Sequence, residues 1–203
     1  MKLNYEDYKH FFDVFLSIIL IVILIPLWIL IVIAMKIEDF KGPILYKQER
    51  IGINGSKFIM YKFRSMIVEA DMLRNELEAR NEQRGPIFKI KKDPRITKVG
   101  NVLRKMSLDE FPQLFNIVKG EMSLIGPRPS LPSEVEKYSE YQMERFSVKP
   151  GCTGLWQVSG RSNLDFDQMI QLDLKYINKY GPMIDIKIFL KTFKVILTGE
   201  GAY

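Results

Sequence analysis

From Phe11 to Met35 the chain runs for 25 residues with a single charge, Asp13, near its start. This constrains the fold more than any other stretch, because about 20 apolar residues in a helix match the hydrocarbon thickness of a bilayer. The run is too long for the apolar core of a cleaved leader, and no small-residue cleavage site comes after it. Pro26 lies near its middle, in Leu24-Ile25-Pro26-Leu27-Trp28. Its missing amide donor and its clash with the preceding turn predict a kink. The segment therefore either spans with a bend or enters and returns to the same face as a helical hairpin. The flanks are mixed in charge (Lys2, Glu6, Asp7 and Lys9; Lys36, Glu38, Asp39 and Lys41), so they do not orient it. The residues alone favour a simple span, since prolines are tolerated in spanning helices.

The remainder of the chain, beyond residue 40, has the length of one domain, enough to bury a core without disulfides. Cys152 is the only cysteine, which excludes an intramolecular disulfide and a cysteine-rich metal site. His10 is the only histidine and borders the apolar run. Both Ser-His-Asp chemistry and histidine-ligated zinc are thereby disfavoured. Any catalysis must rest on carboxylates and basic side chains. The net charge of +6 is concentrated: Lys41–Lys105 holds 16 basic against 7 acidic residues. Beside a membrane-grade segment, such a surplus suits lipid headgroups or phosphates, although solvated surface explains many of these side chains equally well.

Two extended runs, 44–53 and 57–64, flank Asn54-Gly55, a strong hairpin signal. Helical periodicity is expected over 65–84, with Ile67, Ala70, Leu73 and Leu77 in a stripe ended by Gly85-Pro86. Further helices are expected over 96–105, 110–119, 132–146, 166–179 and 183–197. The last carries Lys187, Lys191 and Lys194 among apolar residues, which suits either a headgroup-level helix or one packed on the core. Gly126-Pro127-Arg128-Pro129 reads as a rigid loop.

The chemistry-bearing block runs from Asp93-Pro94-Arg95 through Ser107-Leu108-Asp109-Glu110-Phe111-Pro112-Gln113 to Arg128-Pro129. Neighbouring residues on a helix point about 100° apart, so Asp109 and Glu110 suit two different partners better than one shared proton. Ser107-x-x-Glu110 matches a capping box, but that would place Pro112 where a helix needs its amide. Asp109 as the N-cap puts Pro112 in the first turn instead, and the helix dipole would then favour an ionised Asp109. Such a carboxylate could be a nucleophile, a metal ligand, or only a cap. The residues alone favour the cap.

The block resembles the signature of the bacterial sugar transferases, the monotopic phosphoglycosyl transferases. Similar too are Lys62-Phe63-Arg64-Ser65-Met66, Lys149-Pro150-Gly151 and Gly154-Leu155-Trp156-Gln157-Val158-Ser159-Gly160-Arg161, so the likeness covers most of 44–203. The resemblance implies a mixed α/β fold, mostly helical with short β-hairpins. It implies a membrane segment over 1–40, re-entrant and broken near Pro26, and a cytosolic catalytic domain with interfacial amphipathic helices over 41–203. Some members break at Ser-Pro, where this chain has Ile25-Pro26. The implied reaction moves a sugar-1-phosphate from a UDP-sugar to polyprenyl (undecaprenyl) phosphate. It releases UMP through a phosphosugar–aspartyl intermediate on Asp109, as a first membrane step of glycoconjugate synthesis. Mg²⁺ is the implied cofactor, with Asp109 as its ligand, and Glu110 would position or deprotonate the lipid phosphate. The Gly-Leu-Trp-Gln stretch and the Gly-Ala-Tyr ending resemble the galactose or glucose branch.

A carboxylate attacking a diphosphate meets repulsion of roughly 4 kcal/mol per pair at about 4 Å in an effective dielectric near ~20, so cations are needed. Arg128, fixed between two prolines, is the leading phosphate clamp, followed by Arg64, Lys62 and Arg104. Gln113 and Arg161 complete the expected substrate-binding set, whereas Arg95 and Lys98 suit solvated surface. Expected partners are the UDP-sugar, the acceptor lipid and the cytoplasmic face of the bacterial inner membrane, with a homodimer left open. Nucleic acid is not expected, since no recognisable binding module is present. A Walker-type phosphate loop is also absent. The alternative is a non-catalytic membrane-surface protein that binds anionic lipid.

Overall fold

The computed structural model describes residues 4–82, 86, 88, 90 and 92–198. The expected Gly85 helix stop and the Gly-Ala-Tyr ending lie outside the described residues.

Helix α1, Tyr5–Glu38, is capped by Asn4, whose side chain accepts from the Asp7 amide. It continues without interruption through Pro26, so the expected pair of arms separated at that residue is not observed. Packing on both sides of the proline accounts for this. Leu20, Ile21 and Leu24 lie against Phe58, Met60, Leu114, Ile117 and Met122. Leu27, Ile31 and Met35 lie against Phe63 and Leu103, and Trp28 joins both groups. Each fully buried aliphatic side chain adds about 1.5–3 kcal/mol, enough together to outweigh one lost helical hydrogen bond. The other side of α1 stays apolar and uncovered, with Phe11, Phe15, Val22, Ile23, Ile29 and Leu30 each at least half exposed. By length and composition α1 could cross a membrane.

Both ends of α1 are tied to the same domain. At the start, Lys9 Nζ reaches Asp185 Oδ2 at 2.5 Å and Ser123 Oγ donates to Asp13 Oδ2 at 2.6 Å. At the finish, Glu38 accepts from the Lys98 and Val99 amides.

The hairpin forms as expected. Strands β1, Leu45–Ile51, and β2, Lys57–Phe63, pair antiparallel in the register Leu45↔Phe63 to Ile51↔Lys57. Asn54 (φ 52°) and Gly55 (φ 78°) supply the positive-φ turn. The expected helix over 65–84 is instead a 3₁₀ segment, Val68–Arg80. Tertiary partners take its backbone groups: Arg95 Nη1 donates to the Ala70 carbonyl, and the Ile67 amide donates to the Arg95 carbonyl. Helix α2, Lys98–Lys105, is capped by Thr97. A Cβ on Gly100 would lie 2.0 Å from the Ser65 carbonyl, so only glycine permits this approach. A 3₁₀ turn, Leu108–Glu110, leads into α3, Gln113–Val118.

Short strands β3, Ser123–Ile125, and β4, Gly151–Thr153, pair in parallel. The expected helix over 132–146 is broken into α4, Pro132–Val135, α5, Glu140–Met143, and a 3₁₀ turn, Glu144–Ser147. Helix α6, Phe166–Asn178, carries Asp165 as its cap. Helix α7, Pro182–Thr198, meets the expectation of a helix packed on the core. Its Ile184, Ile188 and Phe189 pack into the core with Tyr176, while Met183, Ile186, Leu190 and Phe193 remain exposed beside Lys187, Lys191 and Lys194.

Candidate active site

Proline dictates the local geometry around the acidic pair. Pro112 has no amide to donate and becomes the N-cap of α3, with Leu108–Glu110 as a separate 3₁₀ turn before it. Neither expected cap is realised. Ser107 adopts a left-handed conformation without a side-chain capping bond, and Asp109 lies inside the turn rather than at the head of a helix. The turn sends its two carboxylates to different surroundings.

Glu110 is paired twice. Its Oε1 accepts from Lys62 Nζ on β2 at 2.6 Å and from Arg128 Nη1 at 3.1 Å. Burial would raise its pKa, but the ammonium and guanidinium outweigh that and hold it well below the usual carboxylate range. Asp109 is 7 % exposed. No hydrogen bond or ion pair from the described residues reaches its carboxylate. Burial raises its pKa and the Glu110 charge adds to this, against the pull of Lys62, Arg104 and Arg128. The expected dipole-stabilised carboxylate is thus corrected: desolvation dominates at Asp109.

Both carboxylates line a pocket of about 470 Å³, within the usual range for small-molecule sites. Lys62, Arg64, Arg104, Arg128 and Arg161 line it as well. Arg64 is committed elsewhere, however: it donates to the Pro43 and Met66 carbonyls and pairs with Asp39 at 3.0 Å. Gln113 is buried outside the pocket lining, and its Oε1 accepts from Cys152 Sγ at 3.3 Å. Arg161 Nη2 donates to Ser107 Oγ at 2.8 Å. Arg95, expected on the surface, is buried and paired with Asp93, while Lys98 is exposed as expected.

The Arg128 loop is braced from below. Gly126 N donates to the Thr153 carbonyl and Gly151 N to the Pro127 carbonyl; a Cβ on Gly151 would lie 2.1 Å from Gly126 N. Two buried arginines absent from the expected set hold the backbone beyond. Arg50 donates to the Pro129 carbonyl at 2.9 Å, and Arg145 donates to the Arg128 carbonyl at 3.1 Å and to Ser130 Oγ at 2.9 Å. Asp173 anchors Arg145 in turn. No local sequence signal marks either arginine, because the Pro129 carbonyl held by Arg50, and the Arg128 carbonyl, Ser130 Oγ and Asp173 that meet Arg145, lie distant along the chain. Trp156 also lines the pocket, and its indole N–H has no partner among the described residues.

Fold and site together define a mostly helical domain with short strands, bearing a membrane-compatible apolar helix and a cation-lined pocket around one open carboxylate. A family model described as Bacterial sugar transferase matches residues 4–199, and the chain belongs to that family. It is 50% identical over 168 residues to the galactosyl transferase CpsE of Streptococcus agalactiae, covering 82% of this chain and 37% of that one. It is 44% identical over 200 residues to the undecaprenyl-phosphate galactose phosphotransferase of Salmonella typhimurium, covering 96% of this chain and 41% of the relative. The exopolysaccharide production protein ExoY of Sinorhizobium fredii is 39% identical over 199 residues, covering 96% and 88%. The chain therefore spans about two-fifths of the first two relatives and most of the third.

Proposed function

We propose that the chain transfers a hexose-1-phosphate from a UDP-sugar to undecaprenyl phosphate, with Asp109 as the nucleophile. The observation that carries this is the contrast within the acidic pair: Glu110 holds two cations and Asp109 is left open in the pocket. The names of the Salmonella relative, and of a 36%-identical undecaprenyl-phosphate glucose phosphotransferase from Komagataeibacter xylinus, supply the acceptor lipid and the hexose class.

An Asp109 oxygen attacks the β-phosphorus of the donor, and the bond to the bridging oxygen breaks. UMP departs with that oxygen and the bond's electron pair. The acceptor's phosphate oxygen then attacks the same phosphorus, expels the Asp109 carboxylate and yields the lipid diphosphate sugar. Splitting the transfer lets a soluble donor and a membrane lipid use one site in turn. Lys62 and Arg128, oriented by Glu110, offset the donor's charge. The depressed pKa of Glu110 suits that orienting role and disfavours it as a base for the lipid phosphate. Arg104, on the last turn of α2, lies close enough to act on the Asp109 charge.

The residues fit Mg²⁺. Among the described residues no group of three potential ligands gathers, but one open carboxylate with substrate phosphates and waters is a usual Mg²⁺ donor set. Asp109 would hold the ion, which supplies positive charge beside the diphosphate.

The ties at both ends of α1 favour a helix embedded from one face, with any bend falling at Pro26. The cytoplasmic face of the bacterial inner membrane follows from a nucleotide-sugar donor. The exposed apolar stripe of α7, flanked by lysines, suits the headgroup level of the same face. UMP release from a panel of UDP-sugars by detergent-solubilised protein tests the activity. Release that continues undiminished in Asp109→Asn would overturn the nucleophile assignment, and chelation of divalent ions is expected to stop turnover.

A further inference from the structure

Three non-glycine residues among those described have positive φ: Asn54 at 52°, Ser107 at 56° and Arg161 at 47°. Asn54 belongs to the hairpin turn, where asparagine is well suited. The other two lie far apart in sequence, both line the pocket, and they are joined by the bond from Arg161 Nη2 to Ser107 Oγ. Left-handed backbone at a serine or an arginine is costly and persists only where the surroundings enforce it.

Local need does not explain Ser107. Its hydroxyl caps no helix, and glycine at this position would adopt the same φ without strain. What glycine lacks is the hydroxyl that Arg161 grips. Ser107 also accepts the Glu110 amide at its carbonyl, so it is the first residue of the turn that carries both carboxylates. On the other side, the segment bearing Arg161 folds back tightly: Arg161 N donates to the Trp156 carbonyl, and Gly160 takes φ 140° with Leu164 packed against it. The pair therefore joins the loop after Trp156 to the entry of the nucleophile turn.

We propose that Ser107 and Arg161 form a clasp that fixes the angle of the Leu108–Glu110 turn, making Ser107 a positioning residue for the Asp109 carboxylate. This rests on Asp109 being the nucleophile. The clasp gives Arg161 a role before any donor arrives: it sets the attacking group in place from the far wall of the pocket.

The test is single-turnover labelling of the full chain by a UDP-sugar carrying a radiolabelled β-phosphate, without acceptor lipid. Ser107→Gly keeps the left-handed backbone and deletes the hydroxyl. It is expected to reach the wild-type extent of labelling at an unchanged donor KM, with a rate constant lower by roughly tenfold to a hundredfold. Ser107→Asn, which tolerates this backbone and carries an acceptor, is expected to recover most of the rate. Arg161→Met is expected to slow labelling less in the Ser107→Gly background than in the wild type, the mark of a direct coupling. A wild-type rate in Ser107→Gly, or a loss confined to donor KM, would overturn the clasp alone. No label on the wild-type chain would overturn the Asp109 assignment and the clasp with it.

Discussion

Two buried ionic clusters in this protein are built on the same principle and finished differently. At the root of α1, Asp185 accepts from Lys9 and Tyr5 at one oxygen and from Tyr176 at the other, while Asp13 accepts from Ser123 and lies 3.8 Å from Lys9. At the pocket, Glu110 is paired twice and the neighbouring Asp109, among the described residues, not at all. A buried charge without a partner costs stability, and of these two clusters it is the one at the pocket that carries that cost. The first cluster holds an apolar helix to its domain. The second keeps one carboxylate available for chemistry.

The sharpest way to break this comparison is to remove the open carboxylate. Asp109→Asn is expected to lower UMP release by roughly a thousandfold or more. It is also expected to raise thermal stability, by about 2–4 °C for each ~1 kcal/mol of relief in a chain of this size. A variant both inactive and less stable would place Asp109 among structural residues. At the root of α1 the opposite pattern is expected. Asp185→Asn leaves Lys9 short of its main partner in a buried site and should cost about 3–5 kcal/mol, read as a fall in the unfolding midpoint. The folded fraction should keep its donor KM. Glu110→Gln comes next, with turnover lowered by roughly tenfold to a hundredfold as Lys62 and Arg128 lose their shared anchor.

The smallest expected effect is on pH dependence, and its sign differs between the two neighbours. The raised pKa of Asp109 means that the folded state prefers the protonated acid. The stability of the wild type relative to Asp109→Asn should therefore fall as pH climbs above the ordinary aspartate value of 3.8 and level off beyond the raised value. The acid limb of the rate profile should shift upward for the same reason. Glu110, with its depressed pKa, contributes stability that is fully present above 4.5 and is lost only as pH falls through its folded value. Urea midpoints measured from pH 4 to 8 for the wild type and Asp109→Asn check the first sign, and the wild type against Glu110→Gln carried below pH 4 checks the second.

Much of this was legible from local chemistry. The hairpin follows from Asn54-Gly55 because few other pairs accept two successive positive φ values, and α1 follows from its apolar length. Gly120, just past the helix expected over 110–119, takes φ 80°. Features set by distant partners were not legible. The stripe Ile67, Ala70, Leu73 and Leu77 reads as an α-helix, yet Arg95 draws that backbone into a 3₁₀ segment. Residues 132–146 read as one helix, yet Tyr138 and Arg145 turn inward to Ser130 and the chain breaks around them. In the site, the motif residues were identifiable, but their division of labour was not. Lys62 meets Glu110 across 48 positions, and Arg64 looks like a phosphate ligand until Pro43, Met66 and Asp39 are seen around it.

The most direct measurement is peptide mass spectrometry of the chain quenched after exposure to a UDP-hexose without acceptor lipid. A hexose-phosphate adduct on Asp109 that disappears when undecaprenyl phosphate is added is the predicted result. Turnover with no adduct at any time, or an adduct that forms equally in Asp109→Asn, would contradict it.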